Sequence, residues 1–394
     1  MRIALVSPYD YSVPGGVNNH ISHLASEFTR LGHEARILVP SAEKQIADSR
    51  VINASSAIIP IPFAGSIARI SLSPRTYRRT KSILQEGRYD VLHLHEPLTV
   101  TLPLAVLRHR DLVPQAICVG TFHAYREVSR TYYYGAPIFR RFFKRLDGVI
   151  AVSEAARRYH SRYFPANYTV IPNGVDVEHF GQDLRPIEQF ADGRPNVLFV
   201  GRLERRKGLT YLIDAFALVQ RDLPDARLII VGAYDELGKL PFVLQARHLE
   251  LANVHFVGRV TDLELARYYH TADVFCAPST GMESFGMVLL EAMASGVPIV
   301  ASRIEGYDEV MDDGVQGVFV KPEAPQELAA ALLTLLRDPD RRRAMGMQGR
   351  EKAKRYSWRV VAAQVLDYYA AIREQVPVCT RRTVQAISPA EKTV

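Results

Sequence analysis

Short β-branched runs alternate with longer helical patterns along this chain, and the alternation begins twice. The first series places strands near 3–7, 34–39, 91–95, 116–121, 148–151 and 169–171. The second places them near 196–200, 227–231, 254–257, 274–277, 298–301 and 317–320. Runs of this kind, separated by crossover-length helices, form parallel sheets covered by helices. Two series mean two Rossmann-like, doubly wound α/β domains, and 394 residues exceed what one ordinary core organises. The expected division is 1–175 and 176–357, with the join in a Pro-, Gly- and Asp-containing stretch near 175–195. Residues 358–379 read as a C-terminal helix packing back towards the first domain, and 380–394 as a polar tail. Such sheets bind ligands outside the carboxyl ends of their strands, so a central cleft between facing domains is the expected site.

Charge is distributed unevenly between the halves. Residues 1–180 hold 22 Lys and Arg against 14 Asp and Glu, whereas the remainder holds 27 against 28, so the net +7 originates in the first half. That asymmetry points to an anionic partner: a membrane surface, an acidic substrate or nucleic acid. Tyrosine and arginine cluster in one segment, 125–134, rather than along strands or a groove, which disfavours a base-stacking nucleic-acid binder. No apolar run approaches the length of a bilayer span. The opening Met1-Arg2-Ile3-Ala4-Leu5-Val6 reads as a first strand rather than a signal peptide. Cys118, Cys276 and Cys379 show neither metal spacing nor an even framework, as expected in a reducing cytoplasm.

Several segments carry candidate chemistry. In Glu283-Ser284-Phe285-Gly286-Met287-Val288-Leu289-Leu290-Glu291, two carboxylates lie eight residues apart and can share one side of a loop-to-helix junction. Small Ser284 and Gly286 let a ligand approach backbone N–H groups there. By spacing alone the pair also fits a solvated loop acid and a helix acid. Gly201-Arg202-Leu203-Glu204-Arg205-Arg206-Lys207-Gly208 follows the first strand of the second series. Arg202 as a planar fork and Lys207 as a mobile charge can converge there on a diphosphate, or form a solvated basic loop. Pro14-Gly15-Gly16-Val17 precedes a helical pattern from Asn18 or Asn19, either as a tight turn or as a phosphate approach. There is no Gly-x-Gly-x-x-Gly and no acidic ribose reader on the second strand, so a dinucleotide site is disfavoured. His93 and His95 share one face of an alternating strand while Glu96 points to the other, which argues against a metal site. Nor does an Asp-x-Asp pair supply a divalent-ion clamp.

These segments occur in one order with Ala151-Val152-Ser153-Glu154, Ile171-Pro172-Asn173-Gly174-Val175-Asp176 and Asp273-Val274-Phe275-Cys276-Ala277-Pro278-Ser279. Together they resemble the retaining GT-B glycosyltransferases of glycosyltransferase family 4 over nearly the whole chain. The resemblance implies a nucleotide-sugar in the C-terminal domain, an acceptor in the N-terminal domain, and retention at the anomeric carbon. It implies that Arg202 and Lys207 hold the donor diphosphate, that Glu283 contacts the transferred sugar, and that Glu291 hydrogen-bonds the ribose. The backbone of Ser284, Phe285, Gly286 and Met287 is then near sugar and phosphate, with Gly15 and Gly16 closing from the other side. His123, after Gly120-Thr121-Phe122, is implied to sit over the sugar and steady an oxocarbenium-like transition state. No divalent metal is indicated.

Residues 1–17, Ile59-Pro60-Ile61-Pro62-Phe63-Ala64-Gly65-Ser66-Ile67-Ala68-Arg69 and Tyr89-Asp90-Val91-Leu92-His93-Leu94-His95-Glu96-Pro97 resemble the phosphatidylinositol mannosyltransferase branch. That branch implies GDP-mannose as donor, an anionic membrane lipid as acceptor, and a peripheral place on the cytoplasmic face of the cell membrane. Tyr9, Asn18, Arg69 and Arg126 are the candidate acceptor residues. Arg75, Arg78, Arg79 and Lys81 follow Ser73-Pro74, a helix start, as a basic stripe for anionic headgroups. Phe139-Arg140-Arg141-Phe142-Phe143-Lys144-Arg145 is a second candidate, aromatic and basic together. The chain departs from the branch on the acceptor side. Asn18 replaces Gln, Ala64 replaces Asn, Ala124-Tyr125 replaces Thr-Ser, and Val128 stands where a lysine meets lipid phosphate. Other readings are UDP-glucose or another donor, a different lipid or a soluble phosphorylated or polyol acceptor, and a non-catalytic sugar or lipid sensor. Against the sensor stand intact Glu283, Glu291, Arg202, Lys207 and His123.

Overall fold

The computed structural model describes residues 1–13, 15–43, 45–63 and 66–375. The expected tail at 380–394, residues 376–379 of the expected C-terminal helix, and Ala64 lie outside them.

Seven parallel strands form the first sheet, in the order Val51–Ser55, Glu34–Pro40, Arg2–Val6, Val91–His95, Ile117–Phe122, Gly148–Ala151 and Tyr168–Val170. Six form the second: Val254–Gly258, Arg227–Val231, Asn196–Val200, Val274–Ala277, Ile299–Ser302 and Gly317–Val320. Strand order reverses beside Arg2–Val6 in one sheet and beside Asn196–Val200 in the other. Each domain therefore has a crevice at the carboxyl ends of these central strands.

Three strands lie where the sequence reading places none: Val51–Ser55, and a hairpin of Ile58–Phe63 with Ser66–Ser71. Val51–Ser55 is a short edge strand with polar Asn53 and Ser55, and the hairpin carries Pro60 and Pro62, which lower its strand signal. Proline is tolerated in such a strand because a two-stranded ribbon leaves N–H positions facing outward.

Alternation along Arg2–Val6 divides the first core. Ile3 and Leu5 pack with helices Gly16–Arg30 and Trp358–Gln375. Ala4 and Val6 pack with the opposite layer, Arg75–Gly87, Leu102–His109 and Arg130–Phe143. All four strand side chains are fully buried, and each large aliphatic one contributes about 1.5–3 kcal/mol by leaving water.

The chain crosses between domains twice at one place, where the Val175 N–H donates to the Tyr356 carbonyl at 2.8 Å. Trp358 follows at once and stacks on His23 with ring centroids 4.9 Å apart. A Cβ on Gly174 would lie 2.5 Å from the Trp358 ring, so this crossing needs glycine. Further along the helix, the Tyr369 hydroxyl meets His93 Nδ1 at 2.6 Å, tying the last helix to the first sheet.

Candidate active site

The second domain's half of the cleft is a chain of alternating charges. Arg202 pairs with Glu204 at 3.0 Å, and Glu204 with Arg206 at 2.9 Å. Glu283 then accepts from both Arg206 and Lys207, the latter at 2.7 Å. Arg206 and Lys207 occupy a short 3-10 turn after the strand Asn196–Val200, and Glu283 lies in the loop before the helix Met287–Ser295. The Thr280 N–H donates to the Arg206 carbonyl at 2.8 Å and locks the two loops together. Burial pushes the Glu283 carboxyl upward, but the Lys207 and Arg206 charges outweigh it and hold the group below its ordinary range. Three cations against two carboxylates leave one positive charge in excess, suited to an anionic ligand.

Beyond Glu283 the roles divide. Ser284 is half-buried, whereas Phe285 is buried in the domain core, so only its backbone is placed for a ligand. Gly286 caps the helix at φ 88°, and a Cβ there would strike the Tyr307 ring at 2.6 Å. Glu291 accepts from the Tyr269 hydroxyl at 2.9 Å, and burial raises its pKa. From the facing domain, Gly15 caps the helix Gly16–Arg30, which begins before Asn18. Nothing lies within 4 Å of a Cβ built on Gly15 or Gly16, so this turn borders open space. Beside it, a cavity of about 240 Å³ runs between Ser12, Asn18 and Asn19 of one domain and Arg259 and Asp262 of the other. A larger one, about 520 Å³, lies away from the cleft beneath Arg78, Arg79, Arg2 and Arg36.

The first domain's half centres on three histidine rings. His123 is 8% exposed at the end of Ile117–Phe122, and its Nε2 lies 2.9 Å from His95 Nδ1. His20 packs edge-on to both, and its Nδ1 meets Asn173 Oδ1 at 2.9 Å. Burial drives all three imidazoles far below their ordinary pKa, and the neighbouring histidines add to it for His95 and His123. Glu96 leaves its strand with φ 51° and accepts the backbone N–H groups of His123 and Ala124, each at 2.7 Å. Burial pushes its carboxyl up to about 7 against those two bonds. Glu96 and Arg126 are charge neighbours of Tyr9, whose hydroxyl pKa burial raises. Asn18 is buried, its amide bonded to Ser7 Oγ at 2.8 Å and the Asp10 carbonyl at 2.9 Å, so it braces the loop. Arg69 pairs with buried Asp10 at 3.1 Å and keeps 44% of its side chain exposed.

Residues 14–179 match the model of Glycosyltransferase Family 4, and residues 181–352 that of Glycosyl transferases group 1. Two phosphatidyl-myo-inositol mannosyltransferases are similar over nearly their full length. That of Mycolicibacterium smegmatis is 36% identical, covering 94% of each chain. That of Mycobacterium leprae is 38% identical, covering 94% of this chain and 97% of its own. This chain belongs to glycosyltransferase family 4. The family's GT-B fold is seen in the sucrose-phosphate synthase of Thermosynechococcus elongatus, with a TM-score of 0.75 at 22% identity over 95% of this chain and 100% of that one. Anabaena HepE in complex with UDP gives 0.76 at 21% identity over 94% and 100%.

Within this glycosyltransferase, four residues absent from the sequence reading complete the geometry: Arg206, Tyr269, Glu96 as a brace, and His20. Only Arg206 had a visible signal, the alternation of Arg202, Glu204 and Arg206 in one loop. The His93-x-His95-Glu96 segment does not act as a unit. His93 bonds Tyr369 and Thr121 Oγ1, each at 2.6 Å, while Glu96 holds the His123 loop. The histidines that converge are His20, His95 and His123, with one nitrogen from each within 4.8 Å of the others. These are donors a divalent ion could use, and the ring-to-ring bond from His95 to His123 already engages two of them.

In the second aromatic-basic candidate the three phenylalanines face inward, while Arg140, Arg141 and Lys144 are exposed. Phe139, Phe142 and Phe143 are partly buried against the core, because the helical period turns them inward. Arg75, Arg78, Arg79 and Lys81 are exposed on Arg75–Gly87, with Arg79 donating to the Asn53 carbonyl at 2.8 Å. Among the described residues no helix is long and apolar enough to cross a membrane.

Proposed function

We propose that this glycosyltransferase moves mannose from GDP-mannose to phosphatidylinositol, with retention of anomeric configuration, at the cytoplasmic face of a membrane. The observation that carries the reading is the extent of similarity to phosphatidyl-myo-inositol mannosyltransferases: 36–38% identity overall, in alignments that cover 94% of this chain. Arg75, Arg78, Arg79 and Lys81 are the residues that draw the enzyme to anionic headgroups.

In this reading Arg202 and Lys207 hold the diphosphate, whose departure is the hard step. The bond from C1 to the β-phosphate oxygen breaks, and its electron pair leaves on the diphosphate. An inositol hydroxyl oxygen forms the new bond to C1 on the face just vacated, and its proton passes to the departing phosphate oxygen. Glu283, fixed by Arg206 and Lys207, orients the sugar hydroxyls. His123 sits over the sugar as a neutral ring, since burial among other histidines disfavours its charged form. A neutral imidazole avoids setting a cation against the oxocarbenium-like centre.

A soluble phosphorylated or polyol acceptor is the second reading, favoured by the altered acceptor side. Val128 is 69% exposed and carries no charge for a lipid phosphate, leaving that contact to Arg69 or Arg126. The deciding experiment offers radiolabelled GDP-mannose, with UDP-glucose in parallel, to phosphatidylinositol vesicles. A labelled, organic-extractable product from GDP-mannose alone is the expected result. Donor hydrolysis without lipid product would overturn the lipid acceptor, and transfer from UDP-glucose would overturn the donor.

A further inference from the structure

The helix Arg130–Phe143 has two unlike sides and no fully buried residue. Tyr132, Phe139, Phe142 and Phe143 pack partly buried against the first domain's core. Turned outward are Tyr133, Tyr134 and Ile138, which are 69%, 78% and 66% exposed, and Val128 ahead of the helix is 69% exposed. Tyr134 and Ile138 are one turn apart, and on the same face Arg130 lies one turn before Tyr134 and Arg141 one turn after Ile138. Residues 128–146 contain five Arg or Lys and no Asp or Glu.

An apolar strip this exposed on one helix face marks an interaction site rather than scattered surface hydrophobics. Its partner is indicated by the charge around it. Leu237 is also highly exposed, at 82%, but its helix starts with Asp235, Glu236 and Lys239, charges of both signs. Within the segment 128–146 that carries Tyr133, Tyr134 and Ile138 every charged side chain is positive. The acids beside it are Glu127, just before Val128, and Asp111, which pairs with Arg145 at its far end. Tyrosine is the side chain that settles at a lipid headgroup boundary. The placement agrees. Arg130–Phe143 lies in the same helical layer as Arg75–Gly87, and it starts immediately after the loop that follows His123.

We propose that the outward face of Arg130–Phe143, with Tyr133, Tyr134 and Ile138 between Arg130 and Arg141, inserts into the headgroup region of an anionic lipid bilayer. The inference rests on the membrane-lipid reading above and adds a division of labour. The stripe on Arg75–Gly87 attracts the membrane over a distance, and Arg130–Phe143 supplies apolar anchoring that salt does not screen. The bilayer is thereby held at the acceptor side of the cleft.

The test is flotation of the full chain with vesicles of equal parts phosphatidylcholine and phosphatidylglycerol. Tyr133→Ser/Tyr134→Ser/Ile138→Ser should lower partitioning by about tenfold or more, since three apolar groups no longer leave water. The loss should persist at high salt, whereas the effect of charge reversal at Arg78, Arg79 and Lys81 should fade there. Because these side chains are exposed, the variant should melt with the wild type. Independently, Ile138→Trp should shift its emission to the blue on adding vesicles, against a constant background from buried Trp358.

Unchanged flotation, or no blue shift, would overturn the proposal. So would loss of self-association with flotation intact, which would make this face a contact between copies of the chain. Transfer to detergent-dispersed phosphatidylinositol separates the two readings. There the triple variant should match the wild type, and a variant that fails only there would place these residues in acceptor binding instead. If neither protein transfers to phosphatidylinositol, the lipid-acceptor reading falls while flotation still decides the surface.

Discussion

Glu283, partly buried, and Glu96, buried, are carboxylates from opposite domains, and the protein treats them in opposite ways. Glu283 meets two cations and is held anionic. Glu96 meets two backbone N–H groups, and burial outweighs them, so its pKa rises to about 7. Two hydrogen bonds to neutral donors do not replace the hydration a carboxylate loses, whereas two adjacent charges more than replace it. The donor half is thus built to hold charge. Around His123 the acceptor half keeps its histidines neutral, and it carries charge elsewhere, on groups such as the half-exposed Arg69.

Glu283→Gln gives the sharpest test of that contrast. It keeps the shape and removes the charge that Lys207 and Arg206 organise around, and transfer should fall about 10³-fold while nucleotide affinity changes modestly. Single-turnover transfer beside nucleotide titration measures both. Wild-type turnover would remove the anionic carboxylate from the mechanism.

Glu96 should reveal itself in stability instead. Between its ordinary 4.5 and its folded value of about 7, the unfolded chain is ionised while the folded protein keeps the proton. Stability should therefore fall as pH rises through that window, by at most about 3 kcal/mol, and then level off. Glu96→Gln keeps an acceptor for both N–H groups and should abolish this component. Denaturant midpoints of both proteins from pH 4.5 to 8 would show it, and parallel curves would mean that Glu96 is ionised in the fold.

Smaller effects come from residues nearer the solvent or farther from the departing charge. His123→Ala should slow transfer about 10²-fold with little change in donor affinity, and an equal rate would leave His123 a packing residue. Arg202→Ala should weaken donor binding about tenfold, because a guanidinium 52% exposed is screened by water. A direct binding titration with GDP would detect this, and a larger loss would show that Arg202 closes onto the ligand.

Much of the fold was legible because its signals are local. Twelve strands follow from short apolar runs at the spacing of crossover helices, with ends shifted by a residue or so. The edge strand Val51–Ser55 and the proline-bearing hairpin were not, since their pairing rather than their composition makes them strands. In the site, the loops holding Glu283, Lys207 and Arg202 were readable as motifs. Their partners were not: Arg206 and Glu283 are separated by 77 positions, and His20 and Asn173 by 153.

One contact between domains makes the same point. Glu309 of the second domain accepts the Glu154 and Ala155 N–H groups at the start of the helix Glu154–Ser161, at 2.8 and 2.9 Å. Sequence gives this helix its own Ser153 cap, and nothing local announces a second acceptor from 154 residues away. A carboxylate at a helix N-terminus is favoured by unpaired N–H groups and the helix dipole, so it joins the domains across the cleft.

The amino-acid sequence alone determined the two parallel-sheet domains and the loops that carry the chemistry, because hydrophobic period and turn residues act over a few positions. Only the tertiary structure decided which carboxylate is charged, which histidines are neutral and which aromatic side chains face outward. Those properties depend on burial and on partners far away in the chain, and neither is written in local spacing.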